Sequence, residues 1–228
     1  MPVSVQAPQI PQIAQSDLDR WRAVPAAIIA DLDRHDALLD PRIRPICAVG
    51  RQPRLFGRAV TALCEPPDFG AVLYAVDAVG PGDVLVIAAS GHAETAMIGE
   101  ILGGQLRRKG ACGIVCDGAV RDVATLAGWS DFSVFARSIT PRGPSSAERG
   151  VVNRPVVVGG QLVSPGDLLI GDDDGLVVLS PAAIRRLIGD AEAKLAKEAA
   201  WEEALAGGTS VQSLFGLPEA AAPTNIQS

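Results

Sequence analysis

The chain is poor in large flat side chains. Aromatic residues make up 4% of its 228 positions, with a single tyrosine. A core has to be assembled from small aliphatic side chains instead, which suits a 48% hydrophobic content rich in alanine and valine. Excess positive charge is lacking too. The net charge is −6, and no basic cluster is longer than Arg107-Arg108-Lys109. That balance argues against a nucleic-acid phosphate backbone as partner, although a small anionic substrate still needs a local cation. No uninterrupted apolar run is long enough to cross a bilayer, and no basic start leads into an apolar segment. Four cysteines (Cys47, Cys64, Cys112, Cys116) make no disulfide ladder in a chain of this size. Cys112 and Cys116 fall with Ile114 on one face of a predicted strand and read as small buried hydrophobes. The alternative, a metal site, lacks a nearby Cys or His to complete it. These absences lead to the expectation of a reduced, cytoplasmic protein.

What is present divides the chain. Residues 1–15 are rich in Pro and Gln and read as a flexible arm. "SDLDRWRAVPAAIIADLDRHDALLD" has helical spacing, with Ser16 as a candidate N-cap and His35 on its surface. From about Gly57 the pattern changes to short β-rich runs. Two of these share a design, "VGPGDVLVIAA" at 79–89 and "VSPGDLLIGDD" at 163–173. Pro-Gly sets the central dihedrals of a type II turn, and an apolar strand leaves each one. "GLVVLS" then returns as the second arm of a hairpin whose Asp172-Asp173-Asp174 reads as a turn before it reads as a metal cluster. "GACGIVCDG" and "RPVVVGG" supply further strands.

A helix is predicted over roughly 96–109, its apolar stripe formed by Met97, Ile98, Ile101, Leu102 and Leu106, with basic residues in the last turn and Gly110 as its stop. By periodicity alone it could begin anywhere from Glu94 to Glu100, with Gly99-Glu100 a candidate opening of its regular part. A long amphipathic helix over 181–206 starts at Ser180-Pro181 and ends at Gly207-Gly208. The fold class expected is α/β, with hairpins as well as crossovers.

Three groups carry chemical interest. Arg121-Asp122 follows the predicted strand "GIVCDGAV", and ligands gather at the carboxyl ends of strands in α/β folds. The aspartate can ligate a hard cation while the guanidinium grips a carboxylate or enolate. The same pair would also serve as a surface cap on the next helix. Glu100, at a helix start, stands beside the amides of Ile101 and Leu102, which are free donors at a positive helix end. It too has a plainer reading, as an N-terminal acid. Glu198 points within about 20° of Leu187 and Ala191 around the last helix. An acid on an apolar stripe needs a partner, a metal or another subunit, unless the stripe ends at Leu195 and Glu198 is solvated. His92, in the loop before the helix, and Trp129 and Phe132, as core or subunit-contact aromatics, are left with plainer roles.

"GEILGGQLRRKGACGIVCDGAVRD" together with "VSPGDLLIGDDDGLVVLSP" resembles the RraA-like family over roughly residues 20–210. Its most specific element is an acid, twenty residues, then Arg-Asp: Glu100, residues 101–120, Arg121-Asp122. The family contains divalent-metal-dependent 4-hydroxy-4-methyl-2-oxoglutarate / 4-carboxy-4-hydroxy-2-oxoadipate aldolases and the regulator of ribonuclease E activity A.

The resemblance implies a swivelling β/β/α domain over 16–210, followed by a tail at 211–228 and assembled as a homotrimer or a dimer of trimers. It implies Asp122 as ligand of Mg²⁺ or Mn²⁺ and Glu100 as the acid ordering metal-bound water. Arg121 would act on the keto oxygen and enolate, and the amides of Ile101 and Leu102 would receive the pyruvyl carboxylate. Glu198 of a neighbouring subunit would complete the site, with Glu202 close in register. The reaction implied is retro-aldol cleavage of a 4-hydroxy-2-oxo acid to pyruvate, with oxaloacetate decarboxylation beside it. No lysine belongs to the constellation, which disfavours a Schiff-base route. The rival reading is a binding regulator without metal chemistry. Regulators of this family lack an acid at the position of Glu100. A third reading keeps the scaffold and changes the oxo acid.

Overall fold

The structure is a computed structural model that describes residues 2–219 apart from residues 9, 11, 34 and 35. The surface position expected of His35 therefore lies outside the described residues.

The chain enters through β1 (Ser4–Val5), α1 (Gln15–Trp21), α2 (Ala26–Leu32) and β2 (Arg44–Pro45). A βαβαβ run follows: β3 (Leu55–Leu63), α3 (Gly70–Ala78), β4 (Asp83–Ile98), α4 (Glu100–Arg108) and β5 (Gly113–Val120). The short α5 (Val123–Leu126) leads to β6 (Ser133–Ile139), β7 (Val151–Val152) and the hairpin of β8 (Val156–Val158) and β9 (Gln161–Val163). The last elements are β10 (Leu168–Asp172), β11 (Gly175–Leu179), α6 (Pro181–Ala206) and α7 (Val211–Phe215).

The main sheet runs β1-β7-β3-β4-β5-β6-β2, with β10 joining β3 and β11 joining β10. Its centre, β3-β4-β5-β6, is parallel. Parallel neighbours need crossovers, and α3 and α4 supply two of them. β5 is buried along its whole length, as expected for a strand covered on both faces. One apolar cluster lies under α3 and α4 and contains Leu85, Ile87, Met97, Ile114 and Phe132. A second joins α1, α2 and α6 to the β10–β11 hairpin around Trp21, whose indole N–H donates to the Ile184 carbonyl at 3.2 Å. With one tyrosine and few other rings, both clusters are mostly aliphatic.

Several expectations are met closely. β5 covers 113–120 and α6 covers 181–206, with Ser180 Oγ accepting from Ala183 N at 3.2 Å. Both Pro-Gly turns have the positive φ a type II turn requires, +80° at Gly82 and +88° at Gly166. Aspartates at the two equivalent positions close them, Asp83 accepting from Gly80 N at 2.9 Å and Asp167 from Ser164 N at 2.7 Å. β10 and β11 form the expected hairpin. Asp172 and Asp173 are spent on backbone N–H groups of Ala26 and Gly50.

Other expectations are corrected. The helix proposed for 96–109 begins at Glu100, because β4 runs on to Ile98, with Ala96 and Ile98 still paired to β5. The single helical stretch near residues 16–40 is two seven-residue helices separated at Pro25, and α1 starts at Gln15 with Ala14 in the cap position, not Ser16. Residues 4–5 of the expected arm are a strand paired with β7. Cys112 precedes β5 and packs on a different apolar cluster from Ile114 and Cys116. All four cysteines are free thiols.

Candidate active site

The ends of β4 and β5 and the start of α4 meet at a cleft of about 210 Å³, walled by Phe69, Leu102, Arg121, Asp122 and Pro144 among others. Arg121 follows directly on β5, and its backbone N–H donates to the Ile98 carbonyl at 3.1 Å. Asp122 stands at φ +57°, ψ +36°, a left-handed conformation that Asp tolerates better than most non-glycine residues. From there its carbonyl accepts from the N–H groups of Thr125 and Leu126, starting α5. Its side chain turns the other way, and Oδ2 accepts the backbone N–H of Glu100 at 3.1 Å. The chain therefore reverses at Asp122 so that its carboxylate reaches the start of α4.

Two glycines approach the pair closely. A Cβ on Gly99 would overlap Asp122 Oδ2 and come within 2.9 Å of Arg121 Cγ. A Cβ on Gly143 would come within 2.6 Å of Arg121 Nη1. The Arg121 side chain thus lies in a slot between two bare backbones, with its Nε 3.5 Å from Asp122 Oδ2. Rotamer freedom is restricted by this packing.

Donors and acceptors are left over. The first helical bond of α4 runs from Gly103 N to the Gly99 carbonyl at 2.9 Å, and Glu100 N is taken by Asp122. Among the described residues, the N–H groups of Ile101 and Leu102 have no acceptor, and no hydrogen bond reaches Asp122 Oδ1 or the Glu100 carboxylate. Ile101 is 74% exposed at the mouth. Two aligned amides at a helix start are an anion receptor. Asp122 Oδ1 and the Glu100 carboxylate are hard oxygen donors, on residues joined by the Glu100 N–H to Asp122 Oδ2 bond.

That donor set suits Mg²⁺ or Mn²⁺, which take one or two carboxylates and complete their shell with water and substrate oxygens. It does not suit a closed protein cage. Among the described residues no three His, Cys, Asp or Glu side chains converge as a metal cluster.

Of the residues singled out in the sequence, Glu100, Ile101, Leu102, Arg121 and Asp122 come together here. Glu198 does not reach the cleft of its own chain. It lies on α6, with Oε1 3.2 Å from Lys194 Nζ, which also pairs with Asp31 at 2.9 Å. Glu202 is exposed on the same helix. His92 is engaged with Thr95, Nε2 to Oγ1 at 2.6 Å, and is not part of the cleft wall. Phe132 is core, and Trp129 stacks edge-on to it beneath Arg107.

Two contributors escaped the sequence reading. Asp68, fully buried, accepts backbone N–H groups from Gly70 at 2.8 Å, Glu148 at 2.8 Å and Arg149 at 3.0 Å, and the Ser146 hydroxyl. It fastens the 144–149 loop, and so Pro144, to the start of α3. Burial alone would push its carboxyl up, but these donors outweigh it and hold the group well below the usual carboxylate range. Gly143 is the other. Neither stands in a recognisable spacing, since both act across long sequence separations.

Comparison with known proteins places the chain in a family and supports its fold. The RraA-like family model, described as Aldolase/RraA, matches residues 23–178. A protein of Halalkalibacterium halodurans named "Putative 4-hydroxy-4-methyl-2-oxoglutarate aldolase" is 31% identical over 196 residues, 85% of this chain and 91% of that one. Among solved structures, an uncharacterized protein from Pseudomonas syringae superposes with a TM-score of 0.79 at 26% identity, covering 92% of this chain and 100% of that one. Streptomyces coelicolor RraAS2, described as an unusual member of the RNase ES inhibitor RraA family, superposes with a TM-score of 0.70 at 28% identity, covering 85% and 96%.

Proposed function

Because the chain belongs to the RraA-like family, we propose that it is a divalent-metal-dependent lyase cleaving a 4-hydroxy-2-oxo acid to pyruvate and a second oxo acid. The observation that carries this reading is the set of groups gathered at one cleft: the free Ile101 and Leu102 amides, Asp122 with Oδ1 unengaged, the Arg121 guanidinium beside it, and the exposed Glu100 at the start of α4. The relative named as an aldolase supports the reaction class. Oxaloacetate decarboxylation is the expected side reaction, because it too leaves a pyruvate enolate.

The residues divide the work as follows. Asp122, with Glu100 through water, would hold Mg²⁺ or Mn²⁺, which when bound supplies Lewis-acid polarisation of the substrate's keto oxygen. The two amides at the α4 start receive the carboxylate next to the keto group. Arg121, fixed between Gly99 and Gly143, presents its N–H groups to the keto oxygen as negative charge develops there. Donors of this kind contribute on the order of 10²–10³ in rate. The Glu100 carboxylate orders the water that takes the proton from the 4-hydroxyl, and general acid–base transfer of this sort is worth roughly 10²–10⁴. Glu198 of a neighbouring copy in a homotrimer or a dimer of trimers would close the open side.

The second reading, a binding regulator of ribonuclease, is supported by the name of the Streptomyces relative. Glu100 counts against it. Incubating the protein with 4-hydroxy-4-methyl-2-oxoglutarate, 4-carboxy-4-hydroxy-2-oxoadipate or oxaloacetate, with Mg²⁺ or with EDTA, separates the two. Metal-dependent pyruvate release supports the lyase. With no release from any of the three, a Mg²⁺ titration decides: binding lost in Asp122→Ala points to an enzyme for another oxo acid, and no binding to the regulator.

A further inference from the structure

The groups described above account for the pyruvyl end of a substrate and leave the other end unassigned. The wall of the cleft across from α4 is the loop that follows β6. Its course is fixed at three consecutive residues: the Arg142 carbonyl accepts Ala96 N at 2.8 Å, Gly143 lies against Arg121 Nη1, and Pro144 lines the cleft. Arg142 is therefore held at the rim, one residue from the glycine that touches the catalytic guanidinium.

The Arg142 side chain is exposed, and among the described residues its guanidinium makes no ion pair or hydrogen bond. Other cations of the elements around the cleft are engaged. Lys109 Nζ donates to the carbonyls of Val76 and Asp77, Arg107 pairs with Asp131, and Arg149 lies 3.7 Å from Glu65. Asp122 lines the cleft and the exposed Glu100 stands beside it at the start of α4, on a chain of net charge −6. Arg121 and a metal on Asp122 would be engaged at the pyruvyl end, so a second carboxylate still needs a cation of its own.

We propose that Arg142 is a specificity residue that binds the distal carboxylate of a dicarboxylic oxo acid, so that the site prefers diacids to monoacids. This rests on the oxo-acid reading of the cleft and extends it to the substrate's far end. A guanidinium suits the task because its planar fork matches a carboxylate in two parallel hydrogen bonds, whereas an ammonium offers a point charge. The backbone bond that positions the loop comes from the carbonyl of residue 142. Any side chain there leaves it intact, so Arg142→Gln and Arg142→Lys are expected to fold as the parent does.

The test is calorimetric titration, in the presence of Mg²⁺, with 2-oxoglutarate as diacid and 2-oxobutanoate as monoacid. Arg142→Gln should weaken 2-oxoglutarate binding by about 10- to 100-fold, the worth of hydrogen bonds to a charged group. The same variant should change 2-oxobutanoate binding by no more than about two-fold, and Arg142→Lys should recover part of the loss. An equal loss for both acids, or no loss for either, would overturn the assignment. Because the readout is binding, the outcomes are separable from the aldolase reading. A diacid preference lost in Arg142→Gln while no hydroxy-oxo acid is cleaved upholds Arg142 and sinks the lyase, and turnover with an unchanged preference does the reverse.

Discussion

The backbone N–H of Glu100 donates to the carboxylate of Asp122 across 3.1 Å. This bond joins the start of α4 to the end of β5 and orients one Asp122 oxygen, leaving the other for a ligand. The geometry depends on a bare backbone at Gly99 and a left-handed one at Asp122, and each requirement can be tested.

Gly99→Ala should disable the site while sparing the fold. The added methyl would overlap Asp122 Oδ2 and crowd Arg121 Cγ, moving both groups from their slot. A misplacement of this size costs about 10²-fold in rate. Circular dichroism and the rate of pyruvate release, compared with the parent, check this. Wild-type turnover in the variant would show that the pair's position is unimportant.

Asp68→Ala should lower stability and loosen the far wall together. Removing one carboxylate strands three backbone N–H groups and a hydroxyl, and hydrogen bonds to a charged group are worth about 1.5–3 kcal/mol each. Its carboxyl is depressed in the folded state, so its contribution is present above the ordinary carboxylate pKa and is lost as pH falls into the strongly acid range. A lower melting temperature with a raised KM is the expected signature. A variant as stable as the parent would contradict the clamp.

Asp167 gives a pH dependence of opposite sign. Burial pushes its carboxyl up to about 6, against the lowering effect of Ser164 N. Between about pH 4 and 6 the folded chain then holds a proton that the unfolded chain has released, so this group's contribution falls as pH rises through that window. Asp167→Asn keeps an acceptor for Ser164 N and removes the charge. It should raise the melting temperature at pH 7, equivalent to about 3 kcal/mol, with the gain shrinking towards pH 4. A constant offset between the two proteins from pH 4 to 7 would exclude this origin.

Glu198 is predicted to act in a neighbour's cleft. Glu198→Gln and Asp122→Asn should each be inactive alone, and mixing the two should restore part of the turnover once subunits exchange. Mixed samples that stay inactive after demonstrated exchange would place Glu198 outside the site.

Much of this site was legible because its chemistry is local. Glu100, Ile101 and Leu102 form one helix start, Arg121 and Asp122 follow one strand, and their spacing in the sequence carried the family resemblance. The boundary at residue 99 was harder to read, since Met97 and Ile98 continue an apolar helical stripe in the sequence. Pairing of β4 with β5 overrides that pattern and keeps them extended as far as Ile98. The break in β4 at Ser90 and Gly91, both at positive φ, hid the length of the strand behind the polar run "SGHAET". Asp68 and Gly143 were invisible for a different reason. Their roles depend on a loop about 80 residues from Asp68 and on an arginine about 20 residues from Gly143, contacts that only the folded chain brings together. Glu198 lies beyond the buried part of the α6 stripe, its side chain 40% exposed, and the partner it finds within the chain is Lys194.

Carbon–carbon cleavage is predicted to depend on a metal held by Asp122. Pyruvate release from 4-hydroxy-4-methyl-2-oxoglutarate, 4-carboxy-4-hydroxy-2-oxoadipate and oxaloacetate, followed through lactate dehydrogenase for wild type and Asp122→Asn, tests it most directly. Asn tolerates the left-handed backbone and can still accept the Glu100 N–H, so the fold is retained while the charge is lost. The account predicts Mg²⁺-dependent turnover in the wild type, abolished by EDTA and reduced at least about 10²-fold in the variant. Turnover that survives EDTA, or an Asp122→Asn protein as fast as the parent, would contradict it.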